Sequence, residues 1–554
     1  MFPPESDTKF SDSKPPVPSS APDSVQDVEK DSPGLKRALK SRHMQMIAIG
    51  GSIGAGLFVG SGVSLTSGGP GSLVIDFMIT GFMLLLTLNA LGELACIYPV
   101  AGSIYSYSSR FIDPGWGFAM GWNYAMNWMV ALPFELTTAG ITIAFWTDPN
   151  DTGKPSINTG VWIAIFLVFV CVINFFGTRG YGEVEFILGV LKVMAITGFI
   201  IVGIIIDCGG VPTDSRGYIG AKYWSDPGAF HNGFKGFCSV FVAASFAYGG
   251  TELVGLAAAE SANPRKTIPK ATKQVFWRIS LFYILSLLIL GLIVPSNNPN
   301  LSRASDRETR YSPFVLSFQL AGIKVLPSIF NAIITLSVLS VANSSTFASS
   351  RTIQALCANG MGPAIGAKVD KKGRPWVVMI VVLLFGCISF ISEAPDGSIA
   401  FTWLLSIAGL SNFFTWGSIC FAHIRFRKAW ALNGRSTDDL PFTAMFGIIG
   451  SWIGLGLNIL CLIAQFYIAI SPISRKATVQ TFFEAYLAFP VVCVFFLGYK
   501  IHKRQWTAGV DLSSINLDEG RRELDLDALK SELEAERQLN ASWPWWKRQW
   551  HFWT

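Results

Sequence analysis

SFAYGGTELVG, residues 245–255, interrupts an apolar run that begins FCSVFVAA and continues into LAAA. A helix made for lipid has no structural use for two adjacent glycines, a threonine and a glutamate at its centre. Glycine lacks a Cβ and readily leaves helical geometry, so a break is expected at Tyr248-Gly-Gly-Thr-Glu252. A second glycine-crowded run, MIAIGGSIGAGLFVGSG at 46–62, carries Gly50, Gly51, Gly54 and Gly56. Paired interruptions at corresponding positions of two halves point to an inverted-repeat membrane protein with a solute site at the breaks.

The rest of the chain agrees with a lipid setting. Of 554 residues, 51% are hydrophobic and 14% charged, where a soluble protein carries about 25% charge. Continuous apolar runs of about one bilayer crossing recur along most of the chain. They do not alternate, so they read as helices, and lipid permits no open sheet. We place twelve spans, at about 44–67, 72–97, 118–146, 159–176, 183–206, 235–259, 276–295, 325–357, 376–393, 398–422, 447–470 and 481–500. The expected organisation is a cytoplasmic N-terminal tail over 1–43, a membrane domain over 44–500, and a cytoplasmic C-terminal tail over 501–554. No cleavable signal peptide is expected at the start. Residues 1–34 are rich in Ser, Pro, Asp and Lys and nearly free of aromatics, a composition that does not fold.

Basic residues set the orientation, because cytoplasmic loops carry excess Lys and Arg. They cluster before the first span (Lys36, Arg37, Lys40, Arg42), after the sixth (Arg265, Lys266, Lys270, Lys273), after the eighth (Lys368, Lys371, Lys372, Arg374) and after the tenth (Arg425, Arg427, Lys428, Arg435). The loop after the seventh dissents, with Arg303, Arg307 and Arg310. Both termini are thus expected in the cytoplasm. The sequons at Asn150 and Asn300 fall in outside loops, as glycosylation requires, although Asn343 and Asn540 also match by chance. The nine cysteines form no CxxC pair and read as small core residues. No metal site, cofactor motif or nucleic-acid feature is present in this reading.

The two breaks imply a chemistry. A half-helix starting inside the membrane exposes unpaired N–H groups and a positive dipole end, which suit a carboxylate. An unwound stretch with free carbonyls suits an ammonium. An amino acid carries both groups on one carbon. Close helix packing through small residues is the other reading of either glycine run.

At these residues the sequence resembles the fungal amino-acid permeases of the amino acid–polyamine–organocation superfamily. The motifs are GGSIGAGLFVGSG at 50–62, GELACIYPVAGSIYSYSSRFIDPGWGFAMGWNY at 92–124, TELVGLAAAESANPRKTIPKA at 251–271, and NSSTFASSRTIQALCANGMGP with KKGRPW within 343–376. The stretch at Pro264-Arg-Lys is most similar to general, broad-range permeases. The resemblance implies five-plus-five inverted repeats with two further helices, and proton-coupled amino-acid uptake at the plasma membrane. It implies that backbone at Ser52, Ile53, Gly54, Ala55 and Gly56 meets the substrate carboxylate. Carbonyls of Phe246, Ala247 and Gly249 would meet the amine, with Tyr248 and Thr251 in the same break and Phe246 as an aromatic gate. The chain ends HFWT where related general permeases often end in Cys, so no lipid attachment there is implied.

Ionisable groups at membrane depth need a reason, since each costs at least about 2.5–3.5 kcal/mol. Glu252, inside the second break, either takes and releases a proton or pins the unwound backbone. Glu135, in VALPFELTT, either lines the cavity and meets a cationic side chain or pairs with another helix. Lys192, in FILGVLKVMAI, either snorkels to the cytoplasmic face or, as the resemblance implies, fills the volume where sodium-coupled relatives bind sodium and marks the proton as coupling ion. Glu93 and Glu260 read as gate contacts or as helix-end contacts to nearby basic loops. Asn127, Ser340, Asn343 and Ser406 are polar candidates for the pocket or for ordinary interhelical bonds.

The tails carry their own signals. Residues 519–539 read as a charged helix with Leu526, Leu529 and Leu533 on one face, suited to cytoplasmic loops or a trafficking partner. Trp543, Trp545, Trp546, Trp550 and Trp553 interleave with Lys547 and Arg548, as an interfacial segment does. Lys9 and Lys14 are expected to be accessible and to suit ubiquitin attachment by a ligase partner, although accessible lysines are common. A primary pump is excluded by the lack of a GxxxxGK[S/T] motif. A membrane enzyme is disfavoured by having only five histidines, His43, His231, His423, His502 and His551, all placed at or beyond span ends. A receptor that binds without transporting, and a permease for one amino-acid class, stay open.

Overall fold

Backbone polar groups in a long apolar segment have to pair within the segment, and the computed structural model is helical wherever it is regular. It describes residues 46, 51–100, 102–147, 158–257, 264–303, 312–371, 373–393, 397–473, 476–506, 509–513, 515–521 and some between 531 and 547. Among these residues there is no strand.

The first glycine cluster is followed by α1 (Ala55–Phe58) and α2 (Gly60–Ile97). Next come α3 (Ser103–Phe111), α4 (Pro114–Thr147), α5 (Thr159–Phe175) and α6 (Gly177–Asp207). The second interrupted segment gives α7 (Gly233–Tyr248) and α8 (Leu253–Ala257). Then follow α9 (Pro264–Ile293), α10 (Pro299–Arg303), α11 (Pro313–Leu320), α12 (Leu326–Ala358) and α13 (Trp376–Gly386), the last prolonged by a 3₁₀ turn at Cys387–Glu393. The chain closes with α14 (Gly397–Leu432), α15 (Gly447–Ile470), α16 (Val479–Tyr486) and α17 (Ala488–Lys503). Seven helices among the described residues are long and apolar enough to cross a membrane. Counting α16 and α17, which meet at 72°, as one span makes eight.

α2 shows how the chain turns within a continuous helix. At 38 residues it would be about 57 Å long as one rod, nearly twice a hydrocarbon core of about 30 Å. Gly69 divides it, with φ +81° ahead of Pro70. The Gly71 N–H donates to the Ala229 carbonyl at 2.8 Å. A Cβ on Gly69 would sit 2.5 Å from that same oxygen. The expected loop near 68–71 is therefore a single glycine joint.

Burial inverts the pattern of a soluble protein. α15 turns Gly450, Ser451, Gly454, Asn458, Cys461 and Gln465 inward and exposes Ile449, Trp452, Leu460 and Ile463. Small and polar residues between helices with large apolar ones outside suit lipid, where close approach and interhelical hydrogen bonds replace the hydrophobic drive. α4 and α14 carry the polar complement. Asn123 Nδ2 donates to Ser411 O at 3.2 Å, and Ser411 Oγ returns a bond to Asn123 Oδ1 at 2.9 Å.

Two buried ion pairs lie at one end of the bundle. Glu93 accepts from Arg427 Nη2 at 2.8 Å and Ala444 N at 2.7 Å, with His423 Nε2 at 3.0 Å. α14 runs to Leu432, ten residues beyond the expected end at 422. His423 is consequently buried inside a helix, not at a span end as the sequence suggested. Lys500 meets Asp113 at 2.6 Å, both nearly buried; removing one partner of such a pair costs about 3–5 kcal/mol.

Residues 509–521 lie back over this end. Val510 N donates to Ile112 O at 2.9 Å, and the Arg425 guanidinium donates to Phe111 O and Val510 O. Tyr98 donates to Leu517 O at 2.8 Å, Arg110 to Glu519 O at 2.7 Å, and Arg435 pairs with Asp518 at 2.6 Å. Most of the charged helix expected at 519–539, together with Lys9, Lys14, Asn150, Glu260, Trp546, Trp550 and Trp553, lies outside the described residues.

The hydrogen bond from Arg435 holds the Asp518 carboxyl below the usual aspartate range. An acid depressed in the docked state favours docking above its ordinary pKa and loses that effect as pH falls through the lowered value. Limited proteolysis should therefore cut within 509–521 faster in acid than at neutral pH. Arg435→Ala should show the fast cutting already at neutral pH.

Candidate functional site

In the first break residues 51–54 form turns and bends, and α1 begins at Ala55. The earliest N–H groups of a helix have no intrahelical acceptor. One of them, Ala55 N–H, donates to Glu135 Oε2 of α4 at 3.4 Å. The second break follows Tyr248. Gly249 N–H closes α7 on Ser245 O at 2.9 Å, Gly250 turns with φ +101°, and α8 starts at Leu253.

The two breaks touch through glycine. A Cβ on Gly250 would lie 2.5 Å from Gly51 O, and one on Gly56 would lie 2.6 Å from Ala247 Cα. Gly250 also needs its positive φ, which L side chains rarely adopt. Backbone meets backbone here, and neither position has room for a side chain.

Side chains from three neighbouring helices collect the backbone groups that the breaks leave over. The Tyr283 hydroxyl of α9 lies 2.9 Å from Ser52 O and 2.7 Å from Ala247 O, one carbonyl from each break. Its single proton serves one at a time. Tyr248 stacks on Tyr283 at 4.7 Å and donates to Phe77 O at 3.2 Å. Asn412 of α14 accepts from Asn127 Nδ2 at 2.9 Å and donates to Ser245 O at 3.0 Å.

Glu252 is fully buried and surrounded by donors. Gly250 N–H reaches both its oxygens at 3.2 and 3.1 Å, and Tyr124 Oη and Trp416 Nε1 each donate at 3.3 Å. In this conformation it pins the unwound backbone.

A cavity of about 20 Å³ lies between the breaks. Of the residues singled out from the sequence, Ser52, Gly56, Asn127, Glu135, Phe246 and Gly249 line it. Ile53, Gly54, Ala55, Ala247, Tyr248, Thr251 and Glu252 are buried around it without lining it. Gly51, Trp128, Ala131, Val341 and Asn412 complete the wall. That volume holds about one water, so the site is closed. Phe246 packs edge-on to Phe134 at 5.0 Å beside it. A roomier cavity of about 590 Å³ opens between α4, α14, α15 and α17. Its walls are mostly apolar and include no break residue, so the polar chemistry belongs to the small one.

Behind the cavity lies a buried charge group. Lys192 of α6 is 1% exposed, which is not the position of a lysine reaching for the membrane surface. Glu185 and Glu135 are both within its electrostatic reach. Glu185 accepts from Ser340 Oγ at 2.6 Å and Asn343 Nδ2 at 2.9 Å, and Asn343 in turn accepts from Asn174 at 2.8 Å. Ser340 and Asn343 thus serve Glu185 and do not line the cavity. Glu185 was not singled out from the sequence. Its signal was present, since positions 185 and 192 are two turns apart on one helix face. Asn300 sits partly exposed in α10.

The amino acid permease family model matches residues 43–511. An uncharacterized amino-acid permease of Schizosaccharomyces pombe is 53% identical, over 97% of this chain and 88% of its own. The general amino-acid permease GAP1 of Saccharomyces cerevisiae is 49% identical, over 94% and 86%. The cationic amino acid transporter 1 of Schizosaccharomyces pombe is 50% identical, over 88% and 84%. Among solved structures, a mutant manganese transporter of Eremococcus coleocola superimposes with a TM-score of 0.52 at 13% identity, over 84% of this chain and 95% of that one. The last likeness concerns fold alone. The chain belongs to the amino acid permease family, and is therefore a multi-pass membrane transporter and not an enzyme.

Two substitutions test the contact between the breaks. Gly250→Ala should abolish transport, because its Cβ and its φ both oppose the packing. Tyr283→Phe removes one hydrogen bond, worth about 0.5–1.5 kcal/mol; thermal unfolding in detergent should start earlier, and substrate KM should change by up to about tenfold.

Proposed function

We propose that this permease imports L-amino acids of broad range across the plasma membrane, coupled to inward proton movement. The contact of two interrupted helices around one small polar cavity carries this reading. Twelve spans in five-plus-five inverted repeats, with two further helices, would place both breaks at the bilayer midplane, and both tails, 1–43 and 501–554, would be cytoplasmic. Amino acid, proton and lipid are the expected partners. Ubiquitin ligation at Lys9 and Lys14, glycosylation at Asn150 and Asn300, and trafficking partners at the tails belong to the same reading.

The substrate carboxylate would take the free N–H groups at the start of α1, over Ser52–Gly56, where unpaired donors and the helix dipole favour an anion. The ammonium would face the carbonyls of Phe246, Ala247 and Gly249, with Tyr248, Thr251 and Glu252 holding that break in shape. Phe246 O retains a lone pair beyond its bond from Gly249 N–H. A cavity of about 20 Å³ admits no amino acid, so the arms must part to load and close to commit, with Phe246 as the gate.

Coupling follows from Glu135. It holds the first free N–H of α1, the place an incoming carboxylate needs. Two carboxylates at one helix start repel each other. A proton on Glu135 would remove the repulsion, with Lys192 and Glu185 beside it to exchange charge. Glu252 would contribute through the shape of the break, its three donors leaving a glutamine amide badly matched.

A narrower substrate class, basic amino acids, is the second reading. It is favoured by Glu135 lining the cavity and by the name of one relative at 50% identity. A sensor that binds without transporting would keep the same pocket.

The deciding measurement is uptake of labelled neutral, acidic and basic amino acids in a permease-deficient yeast, with and without a protonophore. Broad uptake that collapses with the protonophore is expected. Lys192→Met should lower accumulation while leaving exchange of substrate for substrate intact. Glu135→Gln should lose basic substrates first if its carboxylate meets their side chains, and should lose pH dependence for all substrates if it is the proton carrier. Binding without uptake would identify a sensor.

A further inference from the structure

Asp76 is the exception among the buried acids. It is 0% exposed, and neither carboxyl oxygen has a hydrogen-bond partner. Ser72 and Thr80 lie one turn to either side on the same face of α2, equally buried, and their hydroxyls are also unpartnered. Three polar groups in a row with nothing to bind is rare in a folded protein. Glu93, Asp113, Glu135, Glu185 and Glu252 all have donors.

The stripe faces a seam. The titratable groups within electrostatic reach of Asp76 are the thiols of Cys238 on α7 and Cys461 on α15. α9 and α14 also pack along α2, and among the described residues they direct no charged group to Asp76. The α2–α7 contact is close: a Cβ on Gly68 would lie 2.7 Å from Val240 Cγ2. α7 is also the arm that ends in the second break, and the residue after Asp76, Phe77, holds the Tyr248 hydroxyl through its carbonyl. A tilt of α7 away from α2 would open this seam together with the second break.

We propose that Asp76, with Ser72 and Thr80, is a proton-binding site that makes closure of the α2–α7 seam require a proton. With the seam open, water hydrates the carboxylate. An unpaired carboxylate sealed at membrane depth is costly, and no cation among the described residues accompanies it. Closure therefore takes one proton from the water in the seam onto a carboxyl oxygen, and the proton returns to water when the seam reopens. This rests on the proton-coupled reading above but concerns a different residue and a different step. Glu135 responds to the substrate carboxylate, and Asp76 responds to closure.

The seam carries its own reporter in Cys238. The full-length protein is reconstituted and labelled with a small maleimide over a range of pH, and the Cys238 peptide is quantified by mass spectrometry against a denatured sample, which removes the thiol's own pH dependence. In the wild type, relative labelling should rise with pH, approaching about tenfold per unit for a one-proton step. In Asp76→Asn it should stay low and flat. Wild-type labelling that does not change with pH overturns the proposal without any variant, and so does an Asp76→Asn profile equal to the wild type. If Asp76→Asn does not fold, Asp76→Glu decides: a profile displaced along the pH axis supports the site, and an undisplaced one overturns it. Protonophore-insensitive uptake together with pH-dependent labelling would remove the coupling reading and leave the Asp76 site standing.

Discussion

Two helices are interrupted, and the interruptions touch. Gly250 rests on Gly51, and Gly56 on Ala247, at distances that exclude a Cβ. Much of the surrounding structure depends on this contact. A broken helix in lipid has to satisfy the backbone groups it frees, and the freed groups here are met by particular side chains. Tyr283 serves a carbonyl of each break, Asn412 serves Ser245 O, and Glu252 serves Gly250 N–H. Those three residues fix how α9, α14 and the second break itself stand around the cavity. The closeness of the breaks also leaves the cavity room for about one water, and so little solvent screens the polar interactions inside it only weakly.

The helices and both breaks were legible because they rest on strong local signals: long apolar runs, and glycine where a run should be uniform. Segments expected at 159–176, 376–393 and 447–470 coincide with helix nearly residue for residue. The departures have local causes. Gly69 turns α2 without a loop, so two expected spans form one helix with a joint. α14 runs past 422 because its basic residues, Arg425 and Arg427, find acceptors in Phe111 O, Val510 O and Glu93. Basic residues that read as loop were helix ends bound to other segments.

The site was legible chiefly in its backbone, with Asn127 and Glu135 as the side chains the sequence also offered. Ser52, Gly56, Phe246 and Gly249 line the cavity because the breaks do. Asn412, Tyr283 and Trp416 were invisible, since a polar residue in a span bonds its neighbours far more often than a site, and only three-dimensional placement separates the cases. Asn127 and Asn343 illustrate this. Both looked alike in sequence, yet one lines the cavity through its bond to Asn412 and the other holds Glu185.

The buried charges sort by what answers them. Glu93 and Asp113 meet full cations at one end of the bundle and act as ties between helices. Glu252 meets only neutral donors, which suits a carboxyl that shapes backbone. Glu135 and Glu185 share one lysine, so two acids compete for a single compensating charge, and the balance is open to a third charge arriving at α1. Among the described residues Asp76 meets no hydrogen-bond donor and no cation. A chain that provides so carefully for its other buried acids leaves this one for a species supplied from water.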